Sequence, residues 1–238
     1  MRYLAVFLCC MSPAASAVEV KHWILEGIVA HLVVCDPATV KVGVMLAQGT
    51  DPRKGLWRSE SFTHMVNRVK PTAAIVGSYF DMATNVPVCT IVSDGRLLVD
   101  GLCHAVLMVN SDARIAYNAS GKSWEIKWPT GLPVGLASGP ILVKNRQIHR
   151  NKRDEGFHDP AIFGYARRTA VGVTPAGKLV MLATNHNIGL NRWSRVAKDA
   201  GLTDAFNLDG GMSAALYGGG GYCVTPGRRL TSFLVIGD

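Results

Sequence analysis

The sequence predicts an α+β fold: one domain on a largely antiparallel sheet, or two such sheets, with two or three helices. Two observations carry this. About a dozen short apolar, β-branched runs are separated by Asp-Pro, Asp-Gly and Gly-Pro turn signals. Only a few segments, chiefly Ser61–Lys70 and Asn191–Ala200, space their apolar residues at the helical period.

In chain order, Ile28–Cys35 and Val40–Leu46 flank Asp36-Pro37 and are expected to pair as a hairpin. Phe62, Met65, Val66 and Val69 give Ser61–Lys70 one apolar face; Ser59 is a candidate cap and Pro71 a stop. Ala73–Val76 is a short strand that runs into Gly77–Asp81. Val86–Ser93 and Arg96–Val99 form a hairpin over Asp94-Gly95. His104–Asn110 and Arg114–Asn118 form another, turning at Ser111-Asp112. Ser123–Trp128 alternates, with Trp124, Ile126 and Trp128 on one face, read as core. Leu136–Val143 is a strand broken at Ser138-Gly139-Pro140, which argues for an edge or a bulge.

Asn145–Phe163 has no period and mixed charge, and is expected to be a long loop or lid. Ala170–Thr174 and Lys178–Ala183 form a two-strand unit ending in the polar cluster Thr184–Asn187. Trp193, Val196, Ala197 and Ala200 line one side of the helix Asn191–Ala200, which stops at Gly201. A short strand, Ala205–Leu208, ends at Asp209. Gly218–Gly221 reads as a flexible tip and Leu230–Ile236 as a closing strand.

The first 17 residues combine Arg2, the apolar run Tyr3–Met11 and the small-residue pattern Ala15-Ser16-Ala17. That is a secretory signal cleaved after Ala17, ahead of a domain over residues 18–238. The run is shorter than the about 20 residues a membrane helix needs, so an exported, periplasmic or extracellular protein without a membrane span is expected. The remaining 221 residues hold 24 basic and 17 acidic side chains, a charge of +7 that favours anionic partners. Nucleic acid is not expected, because there is neither a basic helix nor zinc-finger spacing. Cys35, Cys89, Cys103 and Cys223 suggest disulfides in an oxidising compartment, with three pairings open. No HExxH or CxxC spacing is present. No cofactor is expected; a divalent cation is left open, although Asp209 and Asp81 alone lack ligand spacing.

Four sites share one plan, an apolar strand joined to a small polar loop: Gly77–Asp81, Ser138-Gly139-Pro140, Arg167-Arg168-Thr169 and Asn207–Ser213, with Asn185-His186 as a fifth candidate. Arginine binds phosphate oxygens in a bidentate way, glycine loops offer backbone N–H groups, and an acid can serve in glycosyl transfer. These residue types suit a phosphate or sugar phosphate.

The ordered segments AAIVGSYFD, TIVSDGRLL, ASGPILVKNRQI, RRTAVGVTPAGKLVMLAT and AGLTDAFNLDGGMSAAL resemble the phosphodiester glycosidase family, from about Ala73 to the C-terminus. The resemblance implies hydrolysis of a sugar-1-phosphate diester at the sugar C1–O bond, with a sugar phosphodiester or phosphorylated glycan as partner. It implies that Asp209 is the general acid/base and that Arg168, before Thr169, binds phosphate. Gly210, Gly211 and Ser213 would shape the pocket, while Tyr79 and Phe80 would pack on the sugar. Ser78, Ser138, Gly139, Thr169, Asn185, His186 and Asn207 complete the expected substrate-binding set. Val76, Ser78 and Met212 depart from the family's usual asparagine and glycines. Two rivals remain: a serine hydrolase using Ser213, and a non-catalytic module that binds anionic glycan.

Overall fold

The computed structural model describes residues 17–122 and 131–237, which include seventeen strands and three α-helices. The first sheet is ordered β1 (Val18–Leu25), β2 (Ile28–Cys35), β13 (Leu179–Ile188), β12 (Ala166–Val173), β14 (Asp204–Asn207), β10 (Ile141–Lys144) and β11 (Gln147–Ile148). The second is β16 (Gly221–Val224), β15 (Leu216–Gly218), β4 (Ala73–Val76), β17 (Ser232–Gly237) and β3 (Lys41–Leu46). The third is β6 (Arg96–Val99), β5 (Ile91–Ser93), β9 (Val134–Ser138), β7 (Ala105–Val109) and β8 (Ala113–Tyr117). The described strand ladders are all antiparallel, as the α+β expectation requires.

The core follows from the strand patterns. Residues of β2 alternate between two faces: Ile28, Ala30 and Leu32 pack under α3 (Leu190–Asp199), while Val33 and Cys35 join the main core. That main core takes Ile75, Leu107, Leu136, Met181, Phe206 and Phe233, drawn from all three sheets. β4 is buried along its whole length, because β15 and β17 flank it and both faces are covered. Trp193, Val196 and Ala197 seal α3 onto the first sheet. Full burial of a side chain the size of Val196 contributes about 1.5–3 kcal/mol.

α1 (Phe62–Val69) forms as its spacing predicts, but its cap is Ser61, not Ser59: Ser61 Oγ accepts from the His64 N–H at 3.2 Å. Ser61 is the residue immediately before the helix, where a side-chain oxygen can reach the first unpaired N–H groups. Phe62 stacks on Phe233 with ring centres 6.1 Å apart, which fixes the buried face of α1. Just ahead of the cap, buried Glu60 pairs with Arg68 at 2.7 Å.

Other expectations need correction. β2 and β3 do not pair; β2 lies between β1 and β13, and β3 pairs with β17. Their sequence proximity is overridden because each completes a different sheet. Leu136–Val143 is not one interrupted strand. Its halves, β9 and β10, belong to the third and first sheets, and the chain crosses between them at a cis Gly139-Pro140 bond. Gly218–Gly221 is the turn of the β15–β16 hairpin, with Gly219 and Gly220 at positive φ. Asn145–Phe163 contains β11, a 3₁₀ turn at Lys152–Glu155 and the short α2 (Pro160–Phe163). The anticipated strand Ser123–Trp128 and nearly all of the signal segment lie outside the described residues.

The four described cysteines are free thiols, so the expected disulfides are not made. Cys89 and Cys103 are both buried in one cluster, yet the Cys89 thiol faces Ser78 and the Cys103 thiol faces Thr90. Burial pushes the Cys89 thiol up to about 12, so it is protonated at neutral pH.

Candidate active site

The three sheets meet where β4, β9, β12 and β14 end or begin. Backbone bonds stitch those ends together. Asp209 N–H donates to Gly77 O at 3.2 Å, Asn207 N–H to Pro140 O at 2.9 Å and Leu208 N–H to Thr169 O at 3.0 Å. Thus the Gly77–Asp81, Ser138–Pro140, Arg167–Thr169 and Asn207–Ser213 segments, far apart in sequence, converge at one place.

Two glycines make the convergence sterically feasible. A Cβ on Gly77 would lie 2.4 Å from Ser232 Oγ, and one on Gly210 would lie 2.7 Å from Arg167 O. The backbone therefore approaches its neighbours more closely than any other residue allows.

Asp209 follows buried Leu208 as the chain leaves β14. One of its carboxyl oxygens accepts from the Gly210 N–H at 2.8 Å, and its own carbonyl accepts from Thr169 Oγ1 at 2.5 Å. The residue keeps a partly open face, but its carboxyl is enclosed by protein atoms. This desolvation raises its pKa from the usual 3.8 to about 6. Ser213, the Gly210 N–H and the more distant Arg228 charge act in the opposite direction. The Ser213 hydroxyl is close enough to favour the ionised carboxyl, yet it is buried without a partner at regular hydrogen-bond geometry.

Arg168 is 2% exposed. Its Nε donates to Ile188 O at 3.1 Å and one terminal nitrogen to Ile162 O at 2.9 Å, while the other meets Gly164 O. These bonds clamp α2 and the end of β13 onto the site. Among the described residues no carboxylate pairs with Arg168. A buried cation satisfied only by carbonyls leaves its net charge uncompensated, an environment that attracts an anion. Burial lowers its pKa from the ordinary arginine value. Its neighbour Arg167 reaches outward instead, donating to Gly211 O at 3.1 Å and Thr225 O at 2.8 Å.

Tyr79 is within electrostatic reach of both Asp209 and Arg168. Its hydroxyl accepts from Asn207 Nδ2 at 2.6 Å, and its ring centre is 5.5 Å from that of Phe157. Burial, then the Asp209 charge, raise its pKa, while Arg168 lowers it, so both charged groups bear on this one hydroxyl. Asn207 Oδ1 and Ser138 Oγ are buried without hydrogen-bond partners, and both belong to the converging segments. Buried polar atoms of this kind are paired in most proteins, so orphans gathered at a polar junction fit a hydroxyl-bearing ligand.

The remaining candidates divide. Ser78 is buried beside Cys89, while Phe80 bridges to Pro87 in the loop after Gly77. Gly139 faces Phe157 and Glu155, and Gly211 turns at φ 59°. Asn185 and His186 are drawn elsewhere. Asn185 Nδ2 donates to Cys223 O at 3.0 Å, and His186 acts electrostatically on His31.

Sequence reasoning missed Glu155. Both of its carboxyl oxygens accept from the Ile141 N–H, at 2.9 and 3.0 Å, directly after the cis Gly139-Pro140 bond. Burial raises its pKa to about 7. Nothing in the aperiodic Asn145–Phe163 stretch marks it; the signal is a buried acid opposite Gly-Pro, visible only in three dimensions. A cavity of about 610 Å³ is lined by Arg150, Arg153, Asp154, Tyr165, Arg192 and Arg195, among others. Neither Asp209 nor Arg168 lines it.

Fold and site together define an antiparallel α+β protein with a desolvated acid on a strand-end glycine loop and a buried arginine on the adjoining strand β12. The sequence profile of the phosphodiester glycosidase family matches residues 70–236. The chain belongs to the phosphodiester glycosidase family.

Mouse N-acetylglucosamine-1-phosphodiester alpha-N-acetylglucosaminidase is 29% identical over 155 residues, which are 58% of this chain and 30% of that protein. The chain thus spans less than a third of that curated relative. The catalytic domain of zebrafish N-acetylglucosamine-1-phosphodiester alpha-N-acetylglucosaminidase, auto-inhibited by its pro-peptide, superposes with a TM-score of 0.75 at 20% identity. That match covers 95% of this chain and 85% of the zebrafish domain. A hypothetical protein from Synechocystis gives a TM-score of 0.74 at 13% identity, covering 92% of this chain and 61% of that one. These likenesses share the fold, with mostly antiparallel sheets and few helices.

Proposed function

We propose that the protein is an exported hydrolase that cleaves a sugar-1-phosphate diester at the sugar C1–O bond, giving free sugar and a phosphomonoester. The observation that carries this is that Asp209, its carboxyl at about 6, and the buried, acid-free Arg168 both act on the one Tyr79 hydroxyl. In this reading the Asp209 carboxylate takes a proton from water as the water oxygen bonds to C1. The C1–O bond breaks, its electron pair stays on the phosphate oxygen, and Arg168 stabilises the departing phosphomonoester. Asp209 then passes its proton to solvent. Asn207 Oδ1 and Ser138 Oγ supply the unpaired polar atoms for sugar hydroxyls. The arginine-lined cavity suits an anionic aglycone.

Export rests on the N-terminal 17 residues; among the described residues no helix is long and apolar enough to cross a membrane. The experiment is to incubate purified protein with a panel of sugar-1-phosphate diesters, UDP-sugars included, and to follow products by NMR. Free sugar with phosphomonoester supports the proposal. Saturable binding without product supports a binding module instead.

A further inference from the structure

Away from Asp209, the edge of the first sheet carries an unusual group. His22 on β1 and His31 on β2 are directly opposed, with their Nδ1 atoms 2.7 Å apart and the rings edge to face. Cys223 on β16 joins them, and the ligand atoms of the three residues all lie within 4.8 Å of one another. Nothing in the hydrolytic site uses these side chains. His31 and Cys223 are half-buried and His22 is exposed, so the group is open to solvent on one side.

We propose that His22, His31 and Cys223 form a binding site for a borderline transition-metal cation of the zinc class. The donor chemistry selects the class: two imidazoles and a thiolate suit Zn²⁺, whereas Ca²⁺ and Mg²⁺ take oxygen ligands. Two neutral imidazoles facing each other at 2.7 Å can share only one proton; a cation accepts both lone pairs instead. Tetrahedral Zn–N bonds of about 2.0–2.1 Å place ligand nitrogens about 3.3 Å apart, so a small opening of the two rings admits the ion.

Asn185, excluded from the Asp209 cluster, donates from Nδ2 to Cys223 O at 3.0 Å and so fixes the strand that presents the thiol. The position gives the ion a structural task. β1 is the edge of the first sheet and β16 the edge of the second, and the three ligands span both. An ion there cross-links two otherwise open sheet edges.

The test uses the full protein, metal-stripped and without a histidine tag. Titration with Co²⁺ should give a thiolate-to-metal charge-transfer band that saturates at one equivalent and is displaced by Zn²⁺. Zn²⁺ should raise the melting temperature of the wild type. His22→Gln, at an exposed position, should weaken Zn²⁺ binding at least about tenfold while keeping the metal-free melting temperature. Cys223→Ser should abolish the charge-transfer band. Absence of stoichiometric binding, or binding unchanged in both variants, would overturn the proposal.

Discussion

Replacing Asp209 by Asn should stabilise the protein while abolishing turnover. The carboxyl is held at about 6 in the folded protein against 3.8 ordinarily, chiefly because it is desolvated. Below the ordinary value both states are protonated and the residue costs nothing. Between the two values the unfolded chain ionises first, so stability falls as pH rises. Above about 6 the folded carboxylate bears the whole penalty, about 2–3 kcal/mol at 1.36 kcal/mol per pH unit. Asn keeps the oxygen that accepts from Gly210 N–H and carries no charge. Asp209→Asn should therefore melt about 4–12 °C higher than wild type at pH 7.5. Near pH 4 the two should nearly coincide. Calorimetric melts across pH 4–8, with urea titrations at both ends, measure this directly. Equal pH dependence for both proteins would refute the claim that desolvation raises this carboxyl.

Other substitutions probe the remaining parts. Arg168→Ala should cost about 3–5 kcal/mol in urea unfolding, because the Ile162, Gly164 and Ile188 carbonyls lose their donor. Arg168→Lys should unfold less readily than the alanine variant yet still lose at least about tenfold in kcat/KM, since one ammonium cannot replace the fork. Ser213→Ala should keep turnover but move the rising limb of the pH–rate profile, near pH 6 in wild type, upward, because Ser213 favours ionised Asp209. Complete loss of activity, with covalent labelling of Ser213 by a fluorophosphonate, would instead support a serine hydrolase. Gly210→Ala should cost about 1–3 kcal/mol and depress kcat, since its Cβ would meet Arg167 O at 2.7 Å.

Local patterns were legible in the sequence. The spacing of Phe62, Met65, Val66 and Val69 marks α1, and Asp94-Gly95 marks the β5–β6 turn. The strand-end logic at Gly77, Ser138 and Asp209 also holds, because a glycine or small polar residue after an apolar run signals a chain that leaves a sheet, whereas Arg167-Arg168-Thr169 lies inside β12 and not in a loop before it. Which strands pair was not legible. β2 and β3 adjoin in sequence but belong to separate sheets, since pairing is decided by which apolar faces must meet in the core. β1 was missed because its exposed Trp23 and Ile24 break the usual half-buried alternation. Glu155 and the opposed His22 and His31 carry no local signature; the topology alone brings them to their partners.

The most direct measurement is hydrolysis of a sugar-1-phosphate diester in ¹⁸O-labelled water, with the phosphomonoester read by ³¹P NMR. Water attack at C1 leaves every original oxygen on phosphorus, so an unlabelled phosphomonoester beside free sugar is the expected result. An ¹⁸O-shifted phosphorus signal would mean attack at phosphorus, and would contradict the roles given to Asp209 and Arg168.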